Sequence, residues 1–141
     1  MRTPQPPIAP HLVIKAAEKA AEFYQQAFGA EIMMLGKAPD GTVMHGALKL
    51  PNGGVFYLME EREPRLGESR VVIHLEVADV DAVWKRALAA GATVRMELAD
   101  QFWGARYGML NDPFGHIWSV ATQKRDVSPE ELERAMKNHK P

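Results

Sequence analysis

Two stretches of the chain, 63 residues apart in register, say nearly the same thing, and that repeat constrains the fold more than any other feature. Ala9-Pro-His-Leu-Val-Ile-Lys-Ala-Ala-Glu-Lys-Ala-Ala-Glu-Phe-Tyr24 aligns with Val72-Ile-His-Leu-Glu-Val-Ala-Asp-Val-Asp-Ala-Val-Trp-Lys-Arg-Ala87, placing Leu12 on Leu75, Ile14 on Val77 and His11 on His74. Each copy opens with period-two alternation and passes into a period of three and four, as a strand running into a helix does. Val71, Ile73, Leu75 and Val77 make one strand face, and Val80, Val83, Trp84, Ala87 and Leu88 make a helical stripe. The first helix carries the same stripe in Ala17, Ala20, Tyr24, Ala27 and Phe28. Asp79 or Asp81 caps or charges the start of the second helix, and Gly91 ends it. Short alternating segments follow each helix, at 31–36, 42–50 and 54–60 and again at 93–98, 104–110 and 117–122. The expected order is strand, helix and three strands, twice. One such unit is about half the size at which a core becomes self-sufficient, so the copies should pair.

Composition narrows the class. A chain of 141 residues with 46% hydrophobic and 25% charged residues suits one globular domain, 1–141. Its expected parts are a first unit at 8–62, a second at 70–123 and a terminal helix at 128–139. Ser128 caps that helix, Pro129 opens it and Glu131 closes a capping box. A net charge of −1 gives no reason to expect nucleic acid or an anionic membrane as partner. The absence of cysteine excludes disulfides, thiolate catalysis and cysteine-bound metals. Met1-Arg-Thr-Pro-Gln-Pro-Pro7 lacks the apolar core of a signal peptide and no run approaches membrane-spanning length, so a cytoplasmic location is expected.

Near the C-terminal side lies a strand, a tight Asn111-Asp-Pro-Phe-Gly115 turn and a second strand. Pro113 presets φ, and Gly115 can take the positive φ of the return. The strings Gln101-Phe-Trp-Gly-Ala-Arg-Tyr-Gly108 and Asp112-Pro-Phe-Gly-His-Ile-Trp-Ser119 resemble the vicinal-oxygen-chelate superfamily of glyoxalase I, bleomycin-resistance proteins and extradiol dioxygenases. The resemblance spans about residues 8–122. It implies an α+β fold of two tandem βαβββ units, whose curved mixed sheets surround a concave cavity. Metal-dependent members hold the ion with His, Gln or Glu on the first, fourth, fifth and eighth strands. By register those positions are here Ala9, Tyr57, Val72 and Ser119. Two hydrocarbons and two neutral hydroxyls do not replace the hydration of a divalent ion, so no metal or other cofactor is expected.

Strand parity distributes the remaining candidates. His11 and Val13 face the cavity on the first strand, and Val43, His45 and Ala47 on the third. Val72, His74 and Glu76 do so on the fifth, and Ile117, Ser119 and Ala121 on the last, with Tyr57 as the first-half counterpart of Ser119. His11 and His74 stand two residues, about 6.6 Å, beyond the vacated metal positions. They read either as wall residues bonding a ligand or water, or, with His45 and Glu76, as a displaced metal site or an acid–base group. Arg106 between Trp103 and Tyr107 reads either as a clamp for an anionic or planar ligand or as the partner of Asp100 or Asp112. Glu60 falls on the helix side as a surface charge, and Met33, Met34, Met44 and Met59 are expected to fill the core.

The leading expectation is a homodimer that binds a small, planar or polar organic ligand such as an antibiotic or metabolite. His11, His45, Tyr57, Trp103, Arg106, Tyr107 and Ser119 would be contacts. The alternative is an enzyme of lyase, isomerase or dioxygenase type that uses a displaced metal, or His74 and Glu76 as acid and base. A regulatory domain with a vestigial cavity is the third reading. Fold alone does not choose among them.

Overall fold

The computed structural model describes residues 6–62 and 70–138. Its elements are β1 (His11–Ile14), α1 (Ala17–Phe28), β2 (Glu31–Lys37), β3 (Val43–Lys49), β4 (Val55–Glu60), β5 (Val72–Glu76), α2 (Val80–Ala90), β6 (Thr93–Asp100), β7 (Ala105–Asn111), β8 (Ile117–Gln123) and α3 (Pro129–Asn138). The first sheet has the order β1-β4-β3-β2 and the second β5-β8-β7-β6. In each, the opening strand runs parallel to its neighbour and the other pairings are antiparallel. The α+β architecture of two βαβββ units is therefore confirmed. The repeat extends to register: His11 pairs with Tyr57 in the first sheet and His74 with Ser119 in the second.

Apolar stripes bring both helix-covered faces onto one core. Ala17, Ala20, Tyr24, Ala27 and Phe28 of α1 are buried, as are Val80, Val83, Trp84 and Ala87 of α2. Helix α1 packs on α2. Across the seam, Trp118 of β8 meets Phe28 at a ring separation of 4.7 Å, Tyr24 at 5.4 Å and Phe56 at 5.5 Å. Each such aromatic, taken fully from water, stabilises the fold by about 2–3 kcal/mol. Leu88, expected in the α2 stripe, is 37% exposed at the margin of the core.

Helix ends show how the two halves differ. Asp79, not Asp81, caps α2 by accepting from the Ala82 amide at 3.2 Å, and Gly91 ends that helix. Helix α1 has no side-chain cap of its own at Ala16. Instead the Glu60 carboxylate, at the end of β4, accepts from the amides of Ala16 at 2.9 Å and Ala17 at 3.0 Å. Glu60 is thus a helix cap supplied from another element rather than a free surface charge. Ser128 accepts from the Glu131 amide at the start of α3, as the capping pattern requires.

Strict alternation breaks in β2, β3 and β6, and the break in β3 bears on the site. The β2–β3 register passes from Gly36↔His45 to Lys37↔Val43, so Met44 is an extra residue in β3. Such a bulge reverses the facing of what lies beyond it. Val43, expected toward the cavity, is 1% exposed and belongs to the core, whereas Met44 is 61% exposed. Met33 and Met34, expected to be core fillers, are also exposed on the edge strand β2.

Candidate functional site

Each sheet has an open face turned away from the shared core, and each open face carries a group of rings. On the first sheet, His11, His45 and Tyr57 come from β1, β3 and β4. His11 meets His45 edge-on at 5.6 Å and Tyr57 at 5.8 Å, and His45 tilts over Tyr57 at 5.1 Å. The third strand keeps His45 on this face because the Met44 bulge lies just beyond it.

On the second sheet, His74 of β5 stacks on Tyr107 of β7 at 5.9 Å with planes 20° apart. Tyr107 meets Trp103 edge-on at 5.4 Å, and Trp103 meets Phe102 at 5.0 Å. Sequence reasoning missed Phe102; its signal was the aromatic pair opening the β6–β7 turn. Beneath these rings runs a hydrogen-bonded line. His74 Nε2 lies 2.7 Å from Glu76 Oε1, and His74 Nδ1 lies 2.7 Å from the Ser119 hydroxyl. With Glu76 ionised, a neutral His74 must donate from Nε2, which leaves Nδ1 to accept the Ser119 proton. Ser119 is buried on the central strand β8, while the side chains of His74 and Glu76 are 44% and 58% exposed. Val72, a step away on the same face, is 40% exposed.

Arg106 does not join this group. Its Nε donates to Asp81 of α2 at 3.0 Å and its Nη1 to Asp100 of β6 at 3.3 Å. Those hydrogen bonds hold the guanidinium's pKa above its ordinary value. Neighbouring residues of a strand point to opposite faces, so Arg106 beside Tyr107 lies on the helix side while Tyr107 stands on the open one. Asp112, its other candidate partner, is committed elsewhere. That buried carboxylate accepts from Tyr24 Oη at 2.5 Å, Trp118 Nε1 at 2.9 Å, the Phe114 amide at 2.8 Å and the His116 amide at 3.0 Å. His116, besides closing the turn, points its Nε2 at the Val13 carbonyl of the first half at 3.2 Å.

The sequence of residues 7–120 matches the family model of the Glyoxalase/Bleomycin resistance protein/Dioxygenase superfamily. The chain belongs to this superfamily. An uncharacterized protein of Mycobacterium bovis is 41% identical over 94% of this chain and 93% of its own length. Among solved structures, protein PA1353 of Pseudomonas aeruginosa superposes with a TM-score of 0.68 at 27% identity, covering 86% of this chain and all (100%) of that one. A fosfomycin resistance protein, FosX, of Listeria monocytogenes, solved with Mn(II) and a dihydroxypropylphosphonic acid, shares the fold at a TM-score of 0.66 and 17% identity, over 94% and 99% of the two chains.

Superfamily membership raises the question of a metal, and the donor set here answers poorly for one. The register positions hold Ala9, Tyr57, Val72 and Ser119. The two hydrocarbons have no donor, and the Ser119 hydroxyl is spent on His74. Among the described residues of one chain, no group of three or more His, Asp or Glu side chains converges. These positions do not fit a divalent ion. No helix among the described residues is long and apolar enough to cross a membrane.

Proposed function

We propose that the protein is a cytoplasmic homodimer that binds a small, planar organic ligand, an antibiotic or a metabolite, between the first sheet of one copy and the second sheet of the other. One observation carries this reading: each open face bears a cluster of rings, yet among the described elements the two halves of one chain pack on each other through α1 and α2, on the opposite side of the sheets. His11, His45 and Tyr57 would form one wall, and His74, Tyr107 and Trp103 the other. The π faces offer stacking surface, and the imidazoles, the phenols and Glu76 offer a few placed polar groups, the composition of a small-molecule site. Pairing of copies would also cover Val72 and the exposed edge methionines, apolar surface that a lone chain leaves in water.

The Glu76–His74–Ser119 line favours a second reading, proton transfer next to a ligand carbonyl. In it, the Ser119 oxygen takes the ligand's proton as its own passes to His74 Nδ1, while Glu76, accepting from Nε2, orients the imidazole and offsets the charge formed on it. Titration with a planar aromatic dye tests binding. Tyr57→Ala and Tyr107→Ala, one on each wall, should each weaken affinity by about two- to tenfold, as the loss of one stacking contact does, with little change in melting temperature. Unchanged affinity in both variants would refute the ring-lined site.

A further inference from the structure

A second concavity lies within the single chain, on the side of β5 opposite the His74 group. It is a cleft of about 380 Å³ between the two halves. Phe28, Leu75 and Val83 form its apolar floor, each less than a tenth exposed. The β3–β4 turn stands on one side and the first turns of α2 on the other. Asn52 of that turn donates from Nδ2 to the Glu76 carbonyl at 2.9 Å, which pins the turn to β5 and fixes the width of the cleft.

The charges at the rim are not equivalent: Glu76 also borders the cleft, but its carboxylate is engaged by His74 at 2.7 Å. Asp79 is spent on the Ala82 amide as the cap of α2. Arg86, about two helical turns along, makes no hydrogen bond or ion pair among the described residues. Its Nη2 rests against Gly29, 3.2 Å from where a β-carbon on that glycine would stand. Gly29 closes the C-terminus of α1, whose last turn has no basic residue of its own. The carbonyl end of a helix attracts a cation, so the dipole of α1 holds the guanidinium at the cleft without using its donors. A guanidinium with unspent N–H groups presents a planar fork that matches a carboxylate or sulfonate.

We propose that this cleft is a binding site for small amphipathic anions. An apolar ring or short chain lies on Phe28, Leu75 and Val83, and a carboxylate or sulfonate takes the fork of Arg86. The volume falls within the range of about 300–1,000 Å³ usual for small-molecule sites. The site is separate from the ring-lined faces and stands whether or not those bind a ligand.

The test is a heteronuclear NMR titration of the full chain with 2-naphthoate, and with the neutral 2-naphthamide as the matched control. Expected is saturable shifting of the Gly29, Asn52, Ala82 and Val83 amides by naphthoate, with the amide analogue binding about tenfold more weakly. Arg86→Met should reduce naphthoate affinity to that of the amide analogue. Ala82→Phe, on the exposed side of α2 at the lip of the cleft, should abolish binding of both and provides a second variant if Arg86→Met fails to fold. Shifts confined to residues of the open faces, equal affinity for the two probes, or wild-type affinity in either folded variant would overturn the proposal.

Discussion

The Tyr24 hydroxyl, on the helix of the first half, donates to the Asp112 carboxylate at the closing turn of the second half at 2.5 Å. Because Asp112 also accepts from the Trp118 indole and from two turn amides, one carboxylate ties α1, β8 and the hairpin together. Asp112→Ala should lower stability by about 3–5 kcal/mol, because it leaves the phenol and indole donors buried without partners. Urea unfolding measures it; a loss below about 1 kcal/mol would contradict the role assigned to Asp112.

The same pair sets an alkaline limit. Burial foremost, then the Asp112 charge and the hydrogen bond to it, raise the pKa of Tyr24 well above 10.0, against a smaller opposing effect of Trp118. The unfolded chain gives up the phenol proton near pH 10 while the folded chain retains it. The contribution of Tyr24 is therefore complete below about pH 10 and is lost as pH rises beyond it, at about 1.4 kcal/mol per pH unit. Tyr24→Phe should cost about 1–2 kcal/mol at neutral pH and flatten this alkaline slope. Urea melts between pH 8 and about 11.5 read both effects.

Gly108 is fixed by a close approach on the covered face of β7. A β-carbon there would stand 2.6 Å from the Trp84 ring and 3.0 Å from the Leu98 backbone. Gly108→Ala should destabilise by about 1–3 kcal/mol through displacement of Trp84. A red shift in Trp84 fluorescence, isolated in a variant lacking the other two tryptophans, should accompany the loss.

Removing the borrowed cap should act locally. Glu60→Ala deprives the Ala16 and Ala17 amides of their acceptor and should cost about 1 kcal/mol, with faster amide exchange in the first turn of α1. Exchange accelerated evenly over the whole chain would point instead to a general loss of packing.

Much of this was legible in the sequence, because the repeat fixed parity twice and each copy checked the other. Leu12, Ile14 and Leu75 lie beneath the helices, and His11 and His74 stand on the open faces, where that parity places them. The departures have physical causes that period-two counting does not contain. The Met44 bulge turned Val43 inward. Arg106 was grouped with Trp103 and Tyr107 as chain neighbours, although adjacent strand residues face apart. Glu60 found its partners more than forty residues away, and the Asp81–Arg106 pair depends on how α2 lies across β7. Such contacts are made by tertiary packing and leave no local pattern.

The proposed site requires a wall from each of two copies, and mixing variants tests that most directly. Tyr57→Ala weakens the first-sheet wall and Tyr107→Ala the second, so each variant alone should bind a planar dye about two- to tenfold more weakly than the wild type, with no wild-type component. Co-refolded in equal amounts, half of the dimers would be hybrids, each with one intact site and one doubly damaged site. Dye binding should then recover to about a quarter of the wild-type amplitude at wild-type affinity. If the mixture binds no better than the two variants separately, while sedimentation shows that hybrid dimers formed, the two walls do not belong to one shared site.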